Sequence, residues 1–421
     1  MSLSGSRFVN LGLTFIIGVL IARLLGPEGK GIMTTALVIP GLVLSFADLG
    51  MRQAITFYMG KKIYDDQRII STVSLLIFLT SILGTACALA GYLLTGFETR
   101  YGWAVILISL CVIPSSLALT YSSGVFMAKR EISKISLIFI IPTILQLIGV
   151  TVLFILRYAS VEWLLAINVV SVFITAILVL YYLRKYGSLR PVLIPELVWV
   201  MLKKGLVYAA ALFVISLNYR VDIVILEYLT NSTQVGVYSV GVTVADMLWL
   251  LPGVINMVNF SHSASSTDSL DYARKTAFLL RIVLWGALAP FVFLFFLSPY
   301  VIPWIYGIGF ATSGMVVQAI LPGVWAMLIF KILNSDLAGR GRPEAAFWVY
   351  LLAAIINIVF NIWWDPLYGA VGAAWASTVS YTFGGLLFGV VYARMSSLSL
   401  ADLFILRRND IQPFFALFAK N

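Results

Sequence analysis

Of the 421 residues, 61% are hydrophobic and only 11% are charged, where an ordinary soluble domain carries about 25% charged residues. Apolar runs recur from residue 8 to about residue 391 and leave no gap wide enough for a soluble ATPase, glycosyltransferase or receptor module. The 28 basic against 18 acidic residues give a net charge of +10, but the basic residues stand in short clusters between apolar runs, without interleaved aromatics, which excludes a nucleic-acid surface and points to membrane orientation.

A bilayer crossing takes about 20 predominantly apolar residues. The runs therefore predict an all-α polytopic membrane protein of about twelve spans: 8–25, 32–58, 69–95, 103–127, 135–156, 162–183, 203–228, 235–260, 275–297, 311–335, 344–363 and 369–392. The first run lacks a small-residue cleavage site and reads as a retained helix. Cys87 and Cys111, inside apolar stretches and without a C-x-x-C spacing, read as packing residues. The longest interior link, from Arg184 to about Met201, carries Pro191 and Pro195. It divides the chain into an N-terminal six-helix lobe (1–190), a linker (191–202) and a C-terminal six-helix lobe (203–392), followed by a tail (393–421) whose apolar and charged residues suggest an interfacial segment.

With both termini inside, the inner side holds 21 Lys and Arg and the outer side four, namely Arg23, Lys30, Arg100 and Arg157. That alternation supports an even span count and cytoplasmic termini. The two halves also echo each other. Gly31-Ile32-Met33-Thr34 resembles Gly236-Val237-Tyr238-Ser239 at a separation of 205, and Phe126-Met127-Ala128-Lys129-Arg130 resembles Leu337-Ala338-Gly339-Arg340-Gly341 at 211. Duplication of six helices gives both lobes one orientation, related by a pseudo-two-fold axis along the membrane normal. Pro40-Gly41 and Pro252-Gly253 fall at equivalent places and suggest bends. Gly372, Ala376, Ser380 and Gly384 form a small-residue stripe suited to close helix packing.

Arg52, Arg220 and Lys331 are basic side chains inside predicted spans, where ionisable groups are costly and usually face a bundle interior or a cavity. A guanidinium presents a planar fork that suits phosphate oxygens. Arg52 has Asp48 four residues earlier, so a local ion pair competes with ligand contact. Asp222 stands two residues from Arg220 and points elsewhere on a helix, while Lys331 also suits snorkelling towards the interface. Asp222, Asp246 and Asp48 are the acids that could couple a proton or cation, or serve structure alone. Asn218, Asn256, Asn259, Gln318 and Asn334 could line a polar path or bond between helices. No P-loop, H-E-x-x-H, metal-ligand cluster or Ser-His-Asp arrangement is present, and His262, the sole histidine, carries no assigned role. Neither an enzyme nor a resident cofactor or metal is expected.

The segment Ile21-Ala22-Arg23-Leu24-Leu25-Gly26-Pro27-Glu28-Gly29-Lys30-Gly31, followed by Phe46-Ala47-Asp48-Leu49-Gly50, resembles the start of the polysaccharide biosynthesis flippase family, within the multidrug and oligosaccharidyl-lipid exporter superfamily. Tyr219-Arg220-Val221-Asp222-Ile223-Val224-Ile225 is similar to a family segment in which an Asp-Arg pair precedes aliphatics, although here the acid follows the base. Pro366-Leu367-Tyr368-Gly369-Ala370-Val371-Gly372 resembles the entry to a late helix. The resemblance implies a flippase of the bacterial cytoplasmic membrane that moves a polyprenyl-pyrophosphate-linked oligosaccharide by alternating access. Arg220, Arg52 and Lys331 are then its pyrophosphate candidates, proton or sodium coupling is open, and the partners are the lipid-linked glycan, membrane lipids and a polysaccharide polymerase or glycosyltransferases. A cation-coupled multidrug exporter, a lipid II flippase and a membrane scaffold for polysaccharide assembly are the alternatives.

Overall fold

The computed structural model describes residues 3–249, 259, 269–340, 344–407 and 410. All regular structure among them is helical, and nine helical stretches are long and apolar enough to cross a membrane. Each expected span is mainly helical over its described residues. Hydrocarbon offers the backbone no hydrogen-bond partner, so an apolar run there closes its bonds within its own helix. The chain forms two compact units, Met1–Gly236 and Val237–Asn421.

In the first unit, α1 (Leu3–Ala47) is two helices joined across a kink at Gly26, whose φ of 68° and ψ of −176° interrupt the helix. Glycine takes that conformation at little cost, and Pro27 restarts a helix where its missing N–H is not needed. The Pro40-Gly41 pair, in contrast, lies inside continuous helix. A second interruption comes at Leu49 and Gly50, both at positive φ, before α2 (Met51–Gly60). Then follow α3 (Asp66–Thr95), α4 (Phe97–Leu110), α5 (Val112–Ala128), α6 (Ile132–Ile155), α7 (Val161–Leu183) and α8 (Pro195–Leu229). Tyr92 and Tyr121, both fully buried, pin these helices: Tyr92 Oη reaches the Ala36 carbonyl and Ser109 Oγ (2.8 Å), and Tyr121 Oη donates to Thr80 Oγ1 (3.1 Å) and the Ala47 carbonyl (3.3 Å). Cys87 and Cys111 are free and exposed, so the expected packing role is corrected: Cys87 lines an apolar cavity and Cys111 stands at the break between α4 and α5.

At one end of this unit Glu131 pairs with Lys134 (2.6 Å) and Lys185 (3.5 Å). Burial pushes its carboxyl up, but the Lys134 hydrogen bond and the two lysine charges outweigh that and hold it below the ordinary range.

The helix α9 (Ser232–Asp246) ends in a 3-10 turn, Met247–Trp249. The second unit continues with α10 (Ser269–Tyr306), α11 (Thr312–Gly339), α12 (Glu344–Tyr368), α13 (Ala370–Met395) and the short α14 (Leu400–Phe404). The expected small-residue stripe on α13 is buried throughout, and Ser380 donates to the Ala353 carbonyl of α12 at 2.7 Å. Between α11 and α13 the approach is closer still: a Cβ on Gly323 would meet Thr378 Cα at 2.5 Å, and one on Gly385 the Ala326 carbonyl oxygen at 2.5 Å. Asp336, fully buried on α11, receives Arg340 through both carboxylate oxygens (2.8 and 2.6 Å) and the Tyr392 hydroxyl. Pro252-Gly253, His262 and Gly341 lie outside the described residues.

The tail begins with α14, capped by Ser399 and Asp402, and seats Phe404 against Gly389 of α13. Arg281 of α10 holds Asp410 with Nε at 2.6 Å and Nη2 at 2.8 Å, both side chains being almost wholly buried. Residues 411–421 lie outside the described set. Removing one partner of such a pair leaves the other charge stranded, so Asp410→Ala is expected to cost about 3–5 kcal/mol, read as a lower melting temperature of the detergent-solubilised chain. The Arg281 hydrogen bonds hold the Asp410 carboxyl below its usual range. Its contribution is therefore complete above the unfolded value near pH ~4 and fades only as pH falls through the lower folded value. The melting difference between the parent chain and Asp410→Ala should be constant from about pH 5.5 to 7.5.

Candidate functional site

Three polar positions, Asn218, Arg220 and Asp222, stand in the second half of α8, inside the expected span 203–228. Arg220 is exposed, yet its guanidinium lies beside α1: a Cβ on Gly41 would stand 2.6 Å from Nη1. A side chain at that position would make the flexible guanidinium move aside. Asn218 and Asp222 are buried, and the Asp222 carboxylate accepts from the backbone N–H of Ile223 at 2.8 Å. Phe213 and Val224 share the Arg220 face of the helix by their spacing and line an apolar cavity of about 450 Å³, closed on other sides by Ile39, Leu42, Phe46 and Gly84. That volume is in the range of small-molecule sites, about 300–1,000 Å³.

Arg52 is half-buried in the first turn of α2, in the same compact unit as Arg220. The ion pair with Asp48 considered from their spacing is not formed among the described residues. The helix is interrupted between them at Leu49 and Gly50, and Asp48 meets the backbone N–H of Arg52 rather than its guanidinium. Asp48 is buried, and its Oδ1 has no hydrogen-bond partner among the described residues.

In the second unit Lys331 does not simply reach for an interface. Its Nζ sits 3.8 Å from the Trp249 ring centroid, a cation–π contact, and that indole donates to the Val324 carbonyl at 2.9 Å. Asp246 is exposed at the end of α9. Asn259 is buried in a network between helices, donating to Ser335 Oγ (2.8 Å) and accepting from Tyr272 (3.0 Å) and Thr276 (3.3 Å). Gln318 donates to the Phe295 carbonyl at 3.0 Å and ties α11 to α10. Asn334 is half-buried, and Asn256 lies outside the described residues.

Two polar clusters escaped the sequence reading. Glu227, buried near the end of α8, gathers Arg100 Nη1 (3.4 Å), Ser232 Oγ (3.2 Å) and Thr35 Oγ1 (3.4 Å), and Arg100 also reaches the Glu227 carbonyl at 2.9 Å. Beside it the glycines of the sequence echo meet: a Cβ on Gly31 would stand 1.7 Å from the Ser232 carbonyl oxygen, and one on Gly236 would stand 1.9 Å from that of Pro27. Pro27 and Ser232 are themselves 205 residues apart, so the repeat appears as a reciprocal backbone contact. The second cluster climbs one face of α12, where Asn357, Asn361 and Asp365 are each wholly buried. Asn361 donates to Asn357 Oδ1 (3.0 Å), Asn357 to Ser377 Oγ (3.4 Å), and Tyr238 meets Ser377 at 3.1 Å. The i, i+4, i+8 spacing of two amides and an acid in an apolar run was the available signal. Among the described residues no group of three or more His, Cys, Asp or Glu side chains converges on a metal position.

Residues 1–261 match the model of a family described as polysaccharide biosynthesis protein. A probable flippase, AglR of Haloferax volcanii, is 28% identical over 178 residues, which is 39% of this chain and 36% of that relative. The chain thus spans about a third of the curated relative it matches. Among solved structures the lipid II flippase MurJ in an inward closed conformation has a TM-score of 0.79 at 15% identity, covering 100% of this chain and 92% of that one. An inward-facing multidrug resistance transporter of the MATE family in the MOP superfamily has a TM-score of 0.73 at 13% identity, covering 94% and 95%. At these identities the likeness is one of fold.

Proposed function

This chain belongs to the polysaccharide biosynthesis protein family, and from that premise we propose that it translocates a polyprenyl-diphosphate-linked oligosaccharide across the cytoplasmic membrane, with both termini inside and without chemical conversion of its cargo. The observation that carries the reading is Arg220. It is an exposed guanidinium inside an expected span, beside Gly41 and on the same helix face as an apolar cavity. A diphosphate needs a cationic resting place inside the bilayer, while its prenyl chain can stay in apolar surroundings. Arg52 and Lys331 are secondary cations of the path. The glycan lipid and bulk lipids are the partners, and a polymerase or glycosyltransferases supply and consume the cargo.

Reconstitution in liposomes with a defined lipid-linked oligosaccharide tests this, by the appearance of the glycan in the opposite leaflet. Transport of lipid II alone, or of amphipathic drugs alone, would replace the proposal with one of those cargoes.

Coupling to a proton or sodium gradient is part of the same proposal. A buried carboxylate one helical turn beyond buried Asn361, as Asp365 is, suits reversible capture of a small cation. Asp365→Asn is expected to leave the melting temperature within about 2 °C, in the range of a sub-kcal/mol change, and to abolish stimulation of transport by an imposed ion gradient. A variant that still responds to the gradient would remove Asp365 from the coupling.

A further inference from the structure

A second cationic station lies on α8, far from Arg220. The turn at Gly50 is locked to α8 by a reciprocal contact in which a Cβ on Gly50 would meet the Gly205 carbonyl oxygen at 2.1 Å, and one on Gly205 the Leu49 carbonyl oxygen at 2.1 Å. This close approach brings Lys204, one residue before that contact, onto α2. Its Nζ lies 2.9 Å from the centroid of the Phe57 ring, and the Nζ of Lys61, just past the end of α2, lies 4.5 Å from the same centroid. The two ammonium groups are therefore at most about 7.4 Å apart. Lys62 and Lys203 flank them, both exposed.

Two like charges repel at that range, and among the described residues neither lysine forms an ion pair. One benzene ring attracts each ammonium without neutralising either. An anion seated between them would. The charge selects which anion: a phosphodiester headgroup carries one negative charge, whereas a diphosphate linking a prenyl chain to a sugar carries two, spread over adjacent phosphoryl groups. Lys61 and Lys204 stand on the side to which the Lys and Arg count assigns the cytoplasm. Sixteen residues of helix separate Lys204 from Arg220, about 24 Å along the axis, so one headgroup cannot occupy both.

We propose that Lys61 and Lys204 form an inner-leaflet docking site for the diphosphate of the lipid-linked glycan, engaged before the headgroup reaches Arg220. This rests on the translocation reading above and adds a place of entry to it.

The test uses the full chain in phosphatidylcholine nanodiscs, with farnesyl-diphosphate-linked N-acetylglucosamine and its monophosphate-linked counterpart as probes. Lys61→Gln/Lys204→Gln is expected to weaken binding of the diphosphate probe at least about tenfold and of the monophosphate probe less than about threefold, because only the former uses both charges. Lys61→Arg/Lys204→Arg should restore diphosphate binding, which guards against a folding defect. Unchanged diphosphate affinity in the glutamine variant, equal loss for both probes, or equal competition by phosphatidylglycerol would each overturn the site. Liposome translocation separates this from the parent reading. If the parent chain moves no diphosphate-linked glycan, the translocation proposal fails. If it does, and the glutamine variant shows an unchanged dependence on glycan-lipid concentration, the docking site alone fails.

Discussion

Alanine at Gly31 is expected to prevent the first unit from folding, and alanine at Gly236 to do the same. The new methyl at Gly31 would fall 1.7 Å from the Ser232 carbonyl oxygen, and the one at Gly236 would fall 1.9 Å from that of Pro27. Overpacking in a core that can relax costs about 1–3 kcal/mol. Here the obstacles are backbone, the two glycines confront each other, and any separation also pulls at the neighbouring buried Glu227 with its ties to Arg100, Thr35 and Ser232. The cost should exceed that range and approach the whole stability of a membrane bundle, whose helices associate mainly through close packing. The measurement is the monodisperse fraction after detergent extraction. Gly12→Ala is the control, since nothing stands within 4 Å of its added Cβ. Normal yield from Gly31→Ala would refute this view of the crossing.

Charge reversal at Arg220 is expected to abolish translocation of the lipid-linked glycan while leaving the folded chain intact, because Arg220 is exposed and makes no salt bridge within 4.0 Å among the described residues. Charged hydrogen bonds are worth about 1.5–3 kcal/mol each, so Arg220→Gln should weaken glycan-lipid binding on the order of ten- to a hundredfold. Gly41→Ala offers a finer probe. It keeps the charge but puts a methyl 2.6 Å from Nη1, and the flexible guanidinium must shift. Transport should fall with the melting temperature held. Liposome assays on Arg220→Glu, Arg220→Gln and Gly41→Ala check this, and full transport by Arg220→Glu would end the role assigned to the residue.

Some of this site was open to inspection in the sequence and some was not. Arg220 stood out because a guanidinium inside an apolar run is rare and costly, and Asn259 because an amide there must find a partner. The pairing of Asp48 with Arg52 failed for a physical reason. A four-residue spacing implies a shared face only if the helix continues, and the positive φ values at Leu49 and Gly50 end it. Glu227 and Lys204 were equally visible as letters, but nothing local announced that Arg100, 127 residues away, would cap the one, or that Phe57 would sit under the other.

By itself the sequence determined the apolar helical runs and the all-α membrane class, since in hydrocarbon an apolar run has one way to satisfy its backbone, but not the breaks at Leu49–Gly50 and Cys111. It also disclosed the echo between Gly31 and Gly236. Only the tertiary structure decided that those glycines touch, that Gly41 makes room for Arg220, and that two lysines share one ring. Those outcomes depend on how each helix is rotated about its axis and where it crosses its neighbour, and both are set by contacts between residues as far as 192 positions apart, as between Thr35 and Glu227.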